Sequence, residues 1–238
     1  MTADEYLNGI LLRERVDNGP LSPVRAVQSI LMPTITAWAN RFLLNVHPSG
    51  SFMKGTAVLS GTDIDLFISL SPDTAETLQQ IHDTLFTKLT QAGYSPKRQN
   101  VSLNINVGRI SVDLVPAKRQ NNFTLDHSLY KHKTGGWMKT NVATHIQTVI
   151  SGGRQAETRL LKLWRNQKGI DFPSFYLELV VIKALMGNFD PSIERRTQAV
   201  FRYLQDSFES ARFVDPANTN NILSDDLQTI CRKLQKRI

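Results

Sequence analysis

The 238 residues carry 28 Lys+Arg against 21 Asp+Glu, a formal charge of +7 with an isoelectric point near 9.6, and 41% of them are hydrophobic. That length makes one large domain or two small ones, and that apolar content excludes a disordered tail or a disulfide-stapled mini-protein. The single Cys231 excludes an internal disulfide and a Cys-rich zinc site, while the positive surplus favours a polyanionic partner, a nucleoside triphosphate or a nucleic acid.

The polar, acidic start MTADEYLNGI is no signal peptide, and no apolar run approaches the ~20 residues of a membrane span. The chain therefore reads as a soluble, cytoplasmic protein without a membrane partner. Residues 3–17 and 22–44 have helical spacing, the second bent at Pro33, with Ser22 as N-cap before Pro23. A Gly/Ser-rich turn, Ser49-Gly50-Ser51, leads into a short helix over 52–57. Residues 63–70, β-branched and aromatic, read as a buried strand ended by Ser71-Pro72-Asp73. A helix over 74–91 stops at Gly93. Val101, Leu103, Ile105 and Val107 alternate with polar residues; Gly108 turns the chain, and 110–115 is the paired strand. From about residue 140 the pattern is helical: 142–151, 154–168, 174–186, 191–210 and 224–237. The expected organisation is α+β, with N-terminal helices and a small mixed sheet over 1–140 and a helical lobe over 141–238.

The chemistry concentrates in Gly50-Ser51-Phe52-Met53-Lys54-Gly55-Thr56, Asp63-Ile64-Asp65 and Val112-Asp113-Leu114-Val115-Pro116. Residues two apart on a strand share a face, so Asp63 and Asp65 point the same way, their Cα atoms roughly 6.5–7 Å apart. Asp113 sits in an otherwise apolar strand. Three carboxylates on neighbouring strands are tolerable only with cations among them. Magnesium fits, with hard oxygen ligands from one or two carboxylates plus substrate phosphates. Two such ions ~3.5–4 Å apart would stabilise the attacking and leaving oxygens of a phosphoryl displacement. The Gly50-Ser51 turn offers backbone N–H groups and a hydroxyl to triphosphate oxygens. It is not a Walker A loop, because Lys54 precedes Gly55 instead of standing in Gly-Lys-[Ser/Thr].

GSFMKGT…TDIDLFISL…VDLVPA resembles the catalytic core of the nucleotidyltransferases related to DNA polymerase β. Within them it is similar to the branch of archaeal-type CCA-adding enzymes, 2′-5′-oligoadenylate synthases and bacterial cyclic-oligonucleotide synthases. Leu161-Lys162-Leu163-Trp164 resembles that branch's basic-aromatic helix. Pro173-Ser174-Phe175-Tyr176-Leu177-Glu178-Leu179 resembles its Ser-x-x-Leu-Glu helix, and Val214-Asp215-Pro216-Ala217-Asn218-Thr219-Asn220-Asn221 its Asp-Pro…Asn loop. The resemblance runs from about residue 47 to 222. It implies a two-lobed nucleotidyltransferase fold and two Mg2+ ions, with Mn2+ as a substitute. Asp63, Asp65 and Asp113 would be the metal carboxylates, and Asp113 would also help the attacking hydroxyl lose its proton. Gly50, Ser51, Lys162, Ser174 and Tyr176 would bind the nucleotide, with Tyr176 stacking on a base.

Plainer readings stand beside these. An Asp-x-Asp pair alone is commonly a solvated loop or cap. Lys162 lies on a helix that reads equally as amphipathic with a solvated basic face. Tyr176 and Glu178 read more readily as packing and support, and Trp164 as core. Residues 97–139 hold eight cations (Lys97, Arg98, Arg109, Lys118, Arg119, Lys131, Lys133, Lys139) against Asp113 and Asp126, with Phe123, Tyr130 and Trp137 interleaved. This stretch could contact RNA or tRNA, or simply offset the carboxylates and receive triphosphates. The activity implied is template-independent transfer of a nucleoside monophosphate from an NTP to a hydroxyl, giving a linear or cyclic oligonucleotide signal of antiphage type. The alternatives are an RNA 3′-end nucleotidyltransferase, a retired enzyme kept as a nucleic-acid-binding module, and a protein-modifying nucleotidyltransferase.

Overall fold

A computed structural model describes residues 1–17, 19, 22–61, 63–207 and 210–224. The expected helix over 224–237 and Cys231 lie outside the described residues, apart from Ser224 itself. The chain divides into two compact units, one of 17–53 and 62–143, the other of 1–16, 54–61 and the residues from 144 onward. This division is discontinuous. The N-terminal helix groups with the C-terminal helices, whereas the sequence division at 140 keeps it with the mixed half.

That helix, α1 (Ala3–Arg13), starts at a capping box in which Thr2 and Glu5 exchange side-chain and backbone bonds. The mixed unit begins with α2 (Pro23–Ala39), whose stripe Val24, Val27, Leu31, Ile35 and Ala39 is buried. Ser22 holds its N-cap backbone position, but its hydroxyl makes no cap bond. The helix runs through Pro33 and ends at Asn40, which has φ +49°. It is therefore shorter than the 22–44 expected, and Leu43–Pro48 forms a strand, β1. Asn is one of the few non-glycine residues found at positive φ, so Asn40 is the signal that the apolar run obscured. After α3 (Gly50–Lys54) come β2 (Ile64–Leu70) and α4 (Leu78–Gln91). A Thr77/Gln80 capping box starts α4 four residues later than the spacing suggests.

The remaining strands are β3 (Lys97–Arg98), β4 (Leu103–Val107), β5 (Ile110–Arg119), β6 (His127–Lys131) and β7 (Gly136–Thr140). Seven strands form one mixed sheet in the order β1-β2-β5-β4-β3, with β6 on the far end of β5 and β7 beyond it. Among the described residues only β2 and β5 pair in parallel. Helices α2 and α4 cover the sheet on one side, α2 over β1 and β2, α4 over β5 and β6. Phe67, Ala117 and Leu129 form a second apolar cluster with Val101, Val115, Met138 and Val142.

The other unit contains α1, most of α5 (Val142–Gly152), α6 (Gln155–Gln167), α7 (Ser174–Ala184) and α8 (Ile193–Asp206). It also holds a small hairpin, β8 (Val214–Asp215) and β9 (Asn218–Ile222), so the C-terminal half is not wholly helical. Its core runs through Leu161, Phe172, Leu177, Val181 and Val200. Leu11 of α1 packs with Leu160 and Ile193. No helix among the described residues is long and apolar enough to cross a membrane.

Candidate active site

The parallel pairing of β2 and β5 decides where the carboxylates stand. Its register puts Asp65 opposite Asp113, Phe67 opposite Val115 and Ser69 opposite Ala117. Paired residues and their i+2 neighbours share a face, so both aspartates rise from the face that carries Phe67, Val115 and Ala117. Asp63 lies one residue before β2 and is exposed. Burial pushes the Asp113 carboxyl above the ordinary carboxylate range. Asn104's hydrogen bond opposes that shift, and the nearby negative charge of Asp63 adds to it. Asp63 and Asp113 therefore stand close enough to repel, and Asp65 is Asp113's direct neighbour.

This donor set suits a hard divalent cation in kind: oxygen ligands only, with like charges that a cation would relieve. Among the described residues, however, no three His, Cys, Asp or Glu side chains close around one point that could hold a metal ion. The three carboxylates are thus neighbours, not a preformed cage.

The Gly-Ser turn is fixed to the same strand. Ser49 N–H donates to the Asp65 carbonyl at 2.8 Å, which carries β1 directly into α3 beside Asp65. Gly50 opens α3 with φ +57°, and a β-carbon at that position would collide with the Asp65 carboxylate. Gly50 is therefore required twice, for its backbone angle and for its lack of a side chain. Gly50 and Ser51 are the first residues of α3 itself, two positions earlier than the helix expected from sequence.

The other candidate nucleotide residues lie in the helical unit. Lys162 is 2% exposed, with Nζ 2.7 Å from Glu178 Oε1 and 3.0 Å from Thr56 Oγ1. Lys54 Nζ reaches Glu178 Oε2 at 2.9 Å and lies 4.3 Å from the centre of the Phe175 ring. Glu178 is fully buried. Burial alone would raise its pKa, but the two lysines, with Thr56, hold it below the ordinary range. Lys162 thus sits inside an ion-pair cluster and not on a solvated helix face. Tyr176 is buried, edge-on to Phe172 at 5.2 Å and Phe213 at 4.9 Å between ring centres, so its ring belongs to the helical core. Ser174 Oγ accepts from Arg165 Nη1 at 3.0 Å.

The Asp-Pro…Asn loop forms the β8–β9 turn. Asp215, 1% exposed, accepts from His145 Nε2 at 2.7 Å, Ala217 N–H at 2.8 Å and Asn221 Nδ2 at 3.1 Å. Its burial would raise its pKa, and these donors reverse that and hold it low. The loop's acid is thus committed to pinning α5 and the hairpin.

In the basic stretch, four of the eight cations are engaged within the protein. Arg98 bonds Asp83 and stacks on Phe86, Lys118 reaches the Thr74 carbonyl, Arg119 the Thr124 carbonyl and Lys139 Asp126. Phe123 and Trp137 are exposed, at 96% and 61%.

Sequence reasoning missed two groups at the carboxylates, Asn104 and Gln99, both of which donate to Asp113 Oδ1. The signal for Asn104 was present. A Gly108-Arg109 turn pairs Val107 with Ile110, and counting back from that pair puts Asn104 opposite Asp113.

No protein-family model matches the chain. It is 28% identical over 212 residues to a cyclic AMP-AMP-AMP synthase of Escherichia coli strain MS 115-1, a match covering 79% of this chain and 66% of that protein, just under two thirds of its length. The fold superposes on the CdnC of E. coli MS115-1 with ATP at a TM-score of 0.78, with 20% identity over 99% of this chain and 88% of that chain. It superposes equally, at 0.78 and 14% identity, on the CdnE cyclic dinucleotide synthase of Elizabethkingia meningoseptica with GTP and Apcpp, over 99% of this chain and 96% of that chain. The chain is thus similar in sequence to a cyclic AMP-AMP-AMP synthase and has the fold shared by these bacterial CdnC and CdnE proteins.

Proposed function

We infer that the protein is a template-independent nucleotidyltransferase that moves a nucleoside monophosphate from an NTP to a hydroxyl and releases pyrophosphate. The observation that carries this reading is the side-by-side placement of Asp65 and Asp113 on parallel strands, with Gly50 packed against the Asp65 carboxylate. Asp63, Asp65 and Asp113 would hold Mg2+, two ions with Mn2+ as a substitute, and the NTP phosphates would complete the coordination that the carboxylates alone do not close. Bound there, the cations would neutralise charge that builds on the phosphate oxygens. The chain's own contributions are binding and orientation. The Gly50-Ser51 turn would bind phosphate beside Asp65. Asp113, beside Asp65 on the neighbouring strand, would accept the proton of the attacking hydroxyl. No covalent protein intermediate is needed, because positioning and charge stabilisation dominate phosphoryl transfer.

The acceptor in this reading is a second nucleotide, and the product a cyclic or linear oligonucleotide signal. Support comes from the relatives, named as a cyclic AMP-AMP-AMP synthase and a cyclic dinucleotide synthase. An RNA 3′ end is the second reading, favoured by the exposed Phe123 and Trp137 in the basic stretch and weakened by the four cations already engaged there.

The test is incubation with labelled ATP, CTP, GTP and UTP, singly and mixed, with Mg2+ or Mn2+, with and without tRNA. The Asp63→Ala/Asp65→Ala protein runs alongside. Label is expected in a small phosphatase-resistant product without RNA, and none with the double variant. Label entering tRNA alone would move the acceptor to RNA. Pyrophosphate release no greater than that of the double variant under every condition would remove the enzyme reading.

A further inference from the structure

Asp113 is reached by two amides from the β3–β4 side of the sheet. Asn104 stands opposite it in register and donates Nδ2–H to Asp113 Oδ1 at 2.8 Å, while the same nitrogen lies 2.9 Å from Ser111 Oγ. Gln99 donates Nε2–H to that same Oδ1 at 3.1 Å. Gln99 is itself held in place, since its N–H donates to the Ser102 carbonyl at 2.9 Å and its Oε1 accepts from Ser102 Oγ at 3.3 Å. Both donors thus converge on one oxygen of the carboxylate.

That asymmetry is what the fold alone does not require. Satisfying a half-buried carboxylate can be done through either oxygen, and a bond from an exposed glutamine adds little stability once the ordering of its side chain is counted. The terminal torsion of an aspartate is broad and two-fold, so an unrestrained carboxylate swings about it. Two donors on Oδ1 set the plane of the group and leave Oδ2 as the oxygen for a ligand.

We propose that Asn104 and Gln99 are positioning residues, which fix the Asp113 carboxylate so that Oδ2 alone serves the reacting hydroxyl and a hard cation, an assignment that rests on the nucleotidyl-transfer reading above. Neither touches the reacting atoms; each acts through Asp113. Partners that orient a carboxylate ligand typically change metal affinity or activity by about 10–100-fold when removed.

The experiment uses the full chain in wild-type form and as Asn104→Leu, Gln99→Leu and Asp113→Asn. Mn2+ binding is read by electron paramagnetic resonance with a non-hydrolysable ATP analogue, and kcat and KM for ATP by pyrophosphate release. Asn104→Leu is expected to weaken Mn2+ binding and lower kcat, each by about 10–100-fold, with KM for ATP little changed, and Gln99→Leu to do the same to a smaller degree. Asp113→Asn should lose both. If both leucine variants bind Mn2+ and turn over as the wild type does while Asp113→Asn fails, the positioning role is overturned and the function stands. If wild type and Asp113→Asn bind Mn2+ alike and neither releases pyrophosphate, the function falls and the positioning role with it. Should Asn104→Leu not fold, Asn104→Ser and Gln99→Leu carry the same comparison: unchanged Mn2+ binding in both overturns the proposal.

Discussion

Gly50 has two reasons to be glycine, and they can be separated by comparison with Gly93. Both have positive φ, +57° and +87°, but only Gly50 faces another group; nothing lies within 4 Å of a β-carbon at Gly93. An alanine at Gly93 should cost about 1–2 kcal/mol for the backbone angle and leave turnover intact. An alanine at Gly50 adds a collision with the Asp65 carboxylate, so it should lower stability further and cut pyrophosphate release by about 10²-fold, the scale of a misplaced reacting group. Melting temperatures and initial rates of the two variants test this. Equal losses in both would mean that Asp65 moves aside freely. Gly50, Asp63, Asp65 and Asp113 were legible in the sequence because period-2 patterning and a Gly-Ser turn are local signals. Asn104 was missed, although counting back from the hairpin turn places it opposite Asp113. The Glu178–Lys54 pair was not: the partners are 124 residues apart, and nothing local marks a lysine as buried.

At the scale of elements, Glu178 ties α7 to α6 and to the segment that starts at Lys54. A fully buried carboxylate between two lysines is stable only as a set. Its desolvation is offset by both partners, and removal of one member leaves the others charged and buried. Glu178→Leu should therefore lose about 3–5 kcal/mol in urea unfolding. Replacing the whole set by Lys54→Met, Thr56→Val, Lys162→Met and Glu178→Leu should recover most of that loss, because an apolar replacement strands no charge. Failure of the combined variant to recover would show that packing of the longer side chains, not their charge, holds these elements. Sequence patterning found most of the helices within a few residues. It missed β1, the short β3, β6, β7 and the β8–β9 hairpin. β1 was absorbed by the apolar run that follows α2. The pair β6 and β7 is rich in polar and basic residues, and its strand character comes from pairing with β5 and with each other, which no single segment displays.

For the whole molecule, the composition shift near residue 140 marks where helical periodicity begins. It says nothing about which core an earlier helix joins. α1 joins the helical unit through Leu11, packed with Leu160 and Ile193, and through Asp4, whose Oδ1 accepts from Ser192 Oγ at 3.0 Å and from Glu194 N–H at 2.8 Å at the start of α8. Residues 54–61 join it through Lys54 and Thr56. A fragment cut at 141 would lose both. Fully burying one Leu or Ile side chain contributes about 1.5–3 kcal/mol; Leu11 is buried and Leu7 and Ile10 partly so, and losing their cover removes a sizeable share of the ~5–15 kcal/mol by which a domain is typically stable. The fragment 141–238 should therefore show no cooperative thermal transition by circular dichroism, whereas the full chain should melt cooperatively. Point changes give an independent reading. In the full chain, Leu11→Ala and Asp4→Ala should each destabilise the helical unit, with amide exchange rising in α6 and α8 before it rises in β2 and β5. Cooperative melting of the fragment would show that α1 and 54–61 decorate the unit without completing its core, and the boundary read from composition would then be the physical one.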